Sequence, residues 1–175
     1  MRIKNFIVCT AALTGVDQVV KWIIQTCFLD TRFEIIPGLL EFYPKYNYSH
    51  SYVNDLFDIG IGFAPHLLLF LVILAWLILM YGYIRTIRRK KIDDCAYMFG
   101  IAGAVSAILS ISLWKGVLDF IYLVPLFVFD LKDLYINVFV VLFIAGILFY
   151  RSEPVFNGKG KGFLNYIKNL FTKAN

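Results

Sequence analysis

Four long runs of apolar residues dominate the pattern of hydrophobic and polar positions in this chain. They span residues 3–24, 63–84, 96–114 and 134–150, and polar or charged segments separate them. Each run is close to the roughly 20 residues that an α-helix needs to cross the hydrocarbon core of a bilayer. With 60% apolar residues, the chain is also too hydrophobic for an ordinary soluble domain. The pattern predicts an all-α polytopic membrane protein in which residues 1–175 form a single integral membrane domain with four transmembrane helices.

The segment between the first two runs, residues 25–62, has a different pattern. Residues 32–38 read Arg-Phe-Glu-Ile-Ile-Pro-Gly, which is a short strand-forming stretch that ends in a Pro-Gly turn. Residues 39–48 mix aromatic and apolar positions with polar breaks. We expect a small sheet-like platform between the first two helices, together with an amphipathic stretch in the membrane interface. The alternative is a plain loop that carries a belt of interfacial aromatic residues.

The basic residues of the chain fall mostly on one side of the expected membrane. They precede the first run, fill the link between the second and third, and follow the fourth: Arg2, Lys4, Arg85, Arg88, Arg89, Lys90, Lys91, Arg151, Lys159, Lys161, Lys168 and Lys173. Because Lys and Arg near span ends stay on the cytoplasmic side, both termini are expected to be cytoplasmic, including a tail at 151–175. Segments 25–62 and 115–133 are then extracytoplasmic. A net charge of +5 fits a cytoplasmic face that meets anionic membrane phospholipid, and we expect no nucleic-acid partner.

The third run differs from the others in the size of its side chains. It contains a series of small residues: Gly100, Ala102, Gly103, Ala104, Ser106, Ala107 and Ser110. Small residues allow neighbouring membrane helices to approach closely. The third helix is therefore expected to be central to the bundle.

Asp17 and Lys21 are an unusual pair of charges inside the first apolar run. Their spacing puts them on one helix face and favours an intrahelical ion pair. Since the pair lies near the outer end of the span, Lys21 can extend towards water. The pair either neutralises itself and fixes the depth of the helix, or faces the bundle interior and braces a site at the outer surface.

Asp119 and Asp133 close off the third apolar run and open the fourth, in largely apolar surroundings. An ionisable side chain at membrane depth is costly, so it indicates a functional site with a partner. Each of these two aspartates is the other's natural partner. Asp130 and Asp133 are also suitable residues for the start of a helix, where a carboxylate caps free N–H groups. That structural explanation does not cover Asp119.

Histidine and cysteine spacing predicts no metal site. His50 and His66 are the only histidines, and neither is spaced like a metal ligand from another candidate. Cys9, Cys27 and Cys95 suggest no disulfide framework and are expected to be buried among apolar residues. Neither a phosphate-binding glycine loop nor a nucleophile elbow is recognisable. We therefore expect no metal and no cofactor, which leaves aspartate chemistry.

Several short motifs occur in an order that resembles a known family. They are Asp17-Gln18-x-x-Lys21, Ile36-Pro37-Gly38, Asn47, Val117-Leu118-Asp119-Phe120-Ile121 and Phe129-Asp130-Leu131-Lys132-Asp133. Together with the four runs, they resemble signal peptidase II, the bacterial lipoprotein signal peptidase, over nearly the whole chain. The resemblance implies that Asp119 and Asp133 form a catalytic dyad. It also implies that Asp17, Lys21 and Asn47 support the site and the lipid-binding surface, and that the first outer segment forms a cradle-like sheet that holds substrate.

Three segments depart from the pattern of that family. Asn47 is followed by Tyr-Ser-His-Ser-Tyr instead of a Gly-Ala-Ala-Phe-like run. The family's Gly-Asn-x-x-Asp-Arg in the third helix is matched, with one gap, by Ser106, Ala107, Ser110 and Ile111. Before the second dyad residue, Asp130-Leu-Lys132 stands in place of Asn-x-Ala. The polar brace around the dyad is thus either rebuilt from other residues or lost, and we expect Asp130 and Lys132 to face solvent.

The resemblance implies an intramembrane aspartyl endopeptidase of the bacterial cytoplasmic (inner) membrane, with its active site at the extracytoplasmic face. Its substrate would be a lipid-modified prolipoprotein, cut just before the cysteine that carries diacylglycerol. Two adjacent carboxylates share a proton and can activate water without a metal. The competing hypothesis is a non-catalytic relative that binds lipoproteins or signal peptides. A small transporter is disfavoured because no repeat or broken helix is detectable. We expect a monomer.

Overall fold

The computed structural model describes residues 1–49, 54, 57, 59–114, 116–150 and 161–172. Its helices are α1 (Ile3–Ile23, continued by a π-helical turn at Ile24–Phe28), α2 (Phe63–Ile87), α3 (Lys91–Leu113), α4 (Leu131–Phe149) and α5 (Lys161–Thr172). Its strands are β1 (Phe33–Ile36), β2 (Leu40–Asn47), β3 (Val117–Leu123) and β4 (Phe127–Phe129). Helices α1 to α4, with the π-helical turn included in α1, are long and apolar enough to cross a membrane. The predicted architecture of four transmembrane helices with a small sheet is confirmed.

The described ends of the chain lie at the same end of the helix bundle. The amino group of Met1 forms an ion pair with Asp94, near the start of α3. The ring of Phe163 in α5 packs edge-on against Tyr83, near the end of α2, with ring centroids 5.2 Å apart. One end of the bundle therefore carries the basic link between α2 and α3, the start of α1, and helix α5.

Helix α3 is the most buried of the spanning helices, as its small residues predicted. A Cβ atom added at Gly100 would lie 2.9 Å from the ring of Phe139 in α4, and one added at Gly103 would lie 2.9 Å from Ile136 Cγ1. These distances are too short for real Cβ contacts, so the absence of a side chain is what lets the two helices pack at this separation. Close packing of α3 on α4 sets the position of the first turn of α4.

The four strands form one antiparallel sheet in the order β1-β2-β3-β4. The predicted Pro-Gly turn joins β1 to β2: Gly38 has a φ of 68°, and the N–H of Leu39 donates to the Ile36 carbonyl at 3.0 Å. A positive φ at this turn position is the conformation that glycine adopts without strain. Residues 39–48, expected to include an amphipathic interfacial stretch, instead supply the extended strand β2.

The second outer segment supplies half of the sheet, although the sequence predicted sheet structure only in the first. Strand β3 pairs with β2 over Leu40–Asn47, and β4 pairs back onto β3. The reason is burial: Leu118 and Phe120 of β3 pack with Ile24, from the end of α1, in one buried cluster. Because side chains alternate along a strand, Asp119 points to the opposite face from Leu118 and Phe120.

The histidine and cysteine expectations have mixed outcomes. His66 is buried at the start of α2, with its Nδ1 3.1 Å from the Gly62 carbonyl oxygen, which fits a structural role. His50 lies outside the described residues. The expectation that the cysteines are buried is wrong, because Cys9, Cys27 and Cys95 are all exposed. In a membrane-spanning helix an apolar side chain can face lipid, so it need not be buried inside the protein.

Candidate active site

Asp119 and Asp133 are brought together from two separate elements. Asp119 lies in the middle of β3 and is 6% exposed, whereas Asp133 lies in the first turn of α4. Three carboxylate oxygens, one each from Asp119, Asp130 and Asp133, all lie within 4.8 Å of one another. We refer to Asp119 and Asp133 as the dyad. Two carboxylates this close disfavour each other's ionisation, as the sequence reasoning expected.

A capping box at the start of α4 holds Asp133 in place. The N–H of Asp133 donates to Asp130 Oδ1 at 3.2 Å, and the N–H of Asp130 donates back to Asp133 Oδ2 at 3.1 Å. Both carboxylates lie at the amino end of the helix, where the helix dipole favours negative charge. The helix-capping explanation of Asp130 and Asp133 therefore holds, and it fixes the orientation of one dyad residue.

Lys132 occupies the centre of the three carboxylates. Its Nζ lies 2.8 Å from Asp130 Oδ2, 3.3 Å from Asp119 Oδ1 and 3.4 Å from Asp133 Oδ2. The expectation that Asp130 and Lys132 face solvent is wrong, since Asp130 is completely buried and Lys132 is 7% exposed. Three carboxylates in this spacing could hold a small cation, and the ammonium group of Lys132 is the cation among them. A buried ammonium group requires such partners.

Lys21 forms a second layer of charge behind this cluster. Its Nζ lies 2.9 Å from Asp17 Oδ2 and 2.8 Å from Asp130 Oδ2, and it donates to Ser110 Oγ at 2.7 Å. Asp17 and Lys21 are completely buried, so the expectation that Lys21 extends to water is wrong. The predicted ion pair is confirmed, and it faces the bundle interior. Its partners on α3 and α4 are what draw Lys21 inwards instead of outwards.

The motif around Asp17 is tied to the end of α3 as well. Gln18 Nε2 donates to Asp17 Oδ2 at 2.8 Å, and the indole N–H of Trp114 donates to Gln18 Oε1 at 3.1 Å. The hydroxyl of Tyr135 in α4 donates to the Leu13 carbonyl oxygen at 3.2 Å. Polar contacts thus connect α1 to both α3 and α4 at the level of the site.

The electrostatic environment differs between Asp119 and Asp130. Burial raises the pKa of Asp119 to about 7, and the neighbouring carboxylates of Asp130 and Asp133 act in the same direction, against the attraction of Lys132. Burial would also raise the pKa of Asp130, but the ammonium groups of Lys132 and Lys21 outweigh it and hold that pKa below its usual range. Asp130 is therefore the permanent anion of the cluster, and Asp119 is a group that can hold a proton near neutral pH.

Two cavities, each of about 430 Å³, meet at Asp119. The first is mostly apolar and lies between the sheet and helices α2, α3 and α4; its lining includes Phe70, Ala107, Val117, Phe129, Lys132, Asp133, Leu134 and Ile136. The second is more polar and lies over the sheet, lined by Tyr43, Lys45, Tyr46, Tyr48, Ser49, Tyr122 and Leu126. Asn47, Phe127 and Val128 line both cavities together with Asp119. The site therefore has an apolar side and a polar side.

Asn47 borders the dyad but has a different local role from the charged residues. It is the last residue of β2, and its Oδ1 accepts a hydrogen bond from the N–H of Ser49 at 2.9 Å. This contact stabilises the turn after the strand in the manner of an Asx turn. Asn47 thus shapes the wall that the two cavities share.

Sequence reasoning missed two contributors to this site. Lys132 was expected in solvent, and Ser110 was identified as a small residue of α3 that replaces a family motif residue, yet both contact the buried charges. The signal for Lys132 was present, because a lysine flanked by two aspartates at the start of a membrane helix is rarely left without a role. For Ser110 the only signal was its place in the segment that aligns with the family's Gly-Asn-x-x-Asp-Arg motif.

The chain was compared with known families and structures. The family model described as signal peptidase (SPase) II matches residues 9–149. A solved bacterial membrane enzyme structure at 2.3 Å resolution is 23% identical with a TM-score of 0.71, covering 91% of this chain and 94% of its own. A second, at 1.9 Å resolution, is 24% identical with a TM-score of 0.71, covering 85% of this chain and 95% of its own. Both share the fold. No curated protein matches significantly.

Proposed function

Because the chain belongs to the signal peptidase II family, we propose that it is an aspartyl endopeptidase that removes the signal peptide from diacylglyceryl-modified prolipoproteins. The observation that carries this proposal is the pairing of Asp119, from strand β3, with Asp133, from the first turn of α4, where the two cavities join. Cleavage would occur just before the lipidated cysteine.

The chemistry follows from the unequal surroundings of the two dyad carboxyls. We assign the carboxylate form to Asp133, because its side chain is 37% exposed against 9% for Asp119 and because it accepts the Asp130 N–H at the amino end of α4. Asp119, whose burial raises its pKa to about 7, is assigned the proton of the dyad. The Asp133 carboxylate takes a proton from a water molecule as that water attacks the scissile carbonyl carbon, and Asp119 donates its proton to the carbonyl oxygen.

Collapse of the tetrahedral intermediate completes the reaction. The C–N bond breaks, the cysteine nitrogen takes the proton that Asp133 received, and Asp119 recovers its proton from the gem-diol oxygen. The oxygen of the attacking water ends in the new carboxyl group of the signal peptide. The proton that Asp133 took from that water ends on the released amine. The titrations belong to the dyad as a unit, since the two carboxyls interact strongly.

The two sides of the site match the two parts of such a substrate. The apolar cavity between the helices and the sheet suits the hydrophobic segment and acyl chains of a lipidated precursor. The more polar cavity over the sheet, with its tyrosines and Lys45, suits the polypeptide that follows the cysteine. A dyad between the two would be positioned at the boundary of the hydrocarbon core, where a signal-peptide helix ends.

The proposed location follows from the basic residues. They concentrate at the bundle end opposite the dyad, so the positive-inside rule puts the sheet and site at the extracytoplasmic face of the bacterial cytoplasmic membrane. Residues 1–175 would then act as one integral membrane domain, with segments 25–62 and 115–133 outside and a cytoplasmic tail at 151–175. We take the monomer, as expected from the sequence, as the working unit.

Cleavage of a diacylglyceryl-modified prolipoprotein by the purified chain in lipid tests the proposal. Asp119→Asn and Asp133→Asn should each reduce the rate by at least about 100-fold, because each removes one partner of the proton transfers. Asp30→Asn, a matched change at an exposed aspartate, should leave the rate unchanged. Cleavage that survives either dyad substitution would refute the assignment of the catalytic groups.

A non-catalytic relative that binds lipoproteins or signal peptides is the second candidate. It is favoured by the position of Lys132, whose ammonium group already contacts an oxygen of each dyad carboxylate. The same experiment distinguishes the candidates when binding of the lipidated precursor is measured beside cleavage. Binding without cleavage by the unmodified chain supports this second candidate.

A further inference from the structure

A chain of alternating charges runs from α1 to the dyad. It begins at Asp17, passes to Lys21 at 2.9 Å, then to Asp130 at 2.8 Å, and then to Lys132 at 2.8 Å. Lys132 ends the chain by contacting both dyad carboxylates at 3.3 and 3.4 Å. Each charged group in the chain has the opposite charge on either side of it, apart from Asp17 at its start.

The start of α4 does not require this arrangement. An N-cap needs only a side-chain oxygen, and asparagine supplies one about as well as aspartate. The capping box of Asp130 and Asp133 uses no atom of Lys132. Burial of the charges of Asp130 and Lys132 costs desolvation free energy, and helix capping does not explain why both charges are present.

Helix α3 supplies little polarity to the site. Ala107 lines the apolar cavity, and Ser110 contributes one hydroxyl, which accepts from Lys21. The ammonium groups of the charge chain come instead from α1 and from the first turn of α4. We propose that Lys132 is the positioning residue of the dyad, and that the chain from Lys21 through Asp130 to Lys132 holds it there.

Lys132 acts by holding one oxygen of each dyad carboxylate at a common point and by offsetting their mutual repulsion. Other charged groups also face Asp119 or its partners: Asp130 and Asp133 at the start of α4, Lys45 on the paired strand β2, and Lys21 with Asp17 behind Asp130. Among these, Lys132 is the ammonium group in direct contact with Asp119. Its removal should raise the pKa of Asp119, because an opposite charge within about 4–6 Å stabilises the ionised form.

This inference rests on the proposed peptidase function, and Lys132→Met is its main test. We expect kcat to fall about 10- to 100-fold with KM changed less than about twofold, since substrate contacts remain while dyad geometry is lost. The pH profile of kcat should move upwards by about one to three units. Lys132→Arg, which keeps the charge, should keep the profile near that of the unmodified chain. Lys168→Met, at an exposed position on α5, is the matched control.

Infrared titration of the Asp119 carboxyl, assigned with Asp119→Asn, separates this inference from the proposed function. In Lys132→Met the titration midpoint should rise by about one to three units whether or not the chain cleaves substrate. An unshifted midpoint overturns the positioning role, whereas an inactive unmodified chain with a shifted midpoint overturns only the peptidase.

A double variant guards against misfolding of Lys132→Met. Asp130→Asn with Lys132→Ala keeps the N-cap and removes both charges. We expect it to fold and to lose kcat about 10- to 100-fold, because no ammonium group at position 132 then contacts the two dyad carboxylates. A double variant with unchanged kcat and an unchanged pH profile would refute the inference.

Discussion

Replacement of Lys21 by methionine is the sharpest test of how the buried charges are held. Lys21 is completely buried, and its ammonium group lies 2.9 Å from Asp17 and 2.8 Å from Asp130, both of which are also buried. Methionine has a similar length and fills the same space without the charge. The substitution would therefore leave two buried carboxylates facing each other without their shared cation.

The expected loss is large because the partners cannot reach water. At an effective dielectric constant near 20, each contact at this separation corresponds to about 5–6 kcal/mol of attraction, which the cost of desolvating the ions largely offsets. Breaking a buried pair by removing one partner typically destabilises a protein by about 3–5 kcal/mol. We expect Lys21→Met to lower the free energy of unfolding by that amount.

The measurement is the unfolding equilibrium in mixed detergent micelles, followed by circular dichroism. Lys168→Met, at an exposed position, should change stability by less than about 0.5 kcal/mol. Adding Asp17→Asn to Lys21→Met should recover part of the loss, because one unpaired carboxylate is then removed. A loss below about 1 kcal/mol in Lys21→Met would refute the claim that these carboxylates depend on Lys21.

Three further outcomes are expected. Cleavage should decline as the pH rises through about 7, because Asp119 then loses the proton that it donates. The free energy of unfolding should also fall between pH 4 and about 7, since the unfolded Asp119 carboxyl, with a pKa of 3.8, releases its proton first; Asp119→Asn should remove this component. Gly103→Ala should destabilise the chain by about 1–3 kcal/mol and slow cleavage, because its Cβ would meet Ile136 at 2.9 Å. Gly15→Ala is the control, because nothing lies within 4 Å of a Cβ atom added there. Its free energy of unfolding, measured beside that of Gly103→Ala, should be unchanged or higher.

The helical architecture could be predicted from the sequence because its cause is local. A run of about 20 apolar residues must form a helix in a bilayer, since every backbone N–H and C=O needs a partner within the segment. The Pro37-Gly38 turn is equally local, because a single glycine at positive φ satisfies it. Small residues in the third run likewise predicted a central helix, and Gly100 and Gly103 lie where α4 approaches closely.

The sheet shows where local information ends. Residues 117–123 contain Asp119 in an otherwise apolar stretch, and the sequence alone did not identify them as a strand. They become β3 because β2 offers an edge and because the cluster around Ile24 buries Leu118 and Phe120. Strand pairing depends on partners that are 70 (Asn47 with Val117) to 83 (Leu40 with Leu123) residues away in this chain, so no short window of sequence contains its cause.

The sequence by itself determined the four spans and the clustering of basic residues at alternate ends of those spans. It also identified the charged residues that need partners: Asp17, Lys21, Asp119 and Asp133. Only the tertiary structure decided what those partners are. Whether a lysine extends to water or turns inwards depends on the carboxylates near it in the fold. Asp130 is the carboxylate that both Lys21 and Lys132 contact. The energy of a buried charge is set by its neighbours in space, which a linear pattern does not contain.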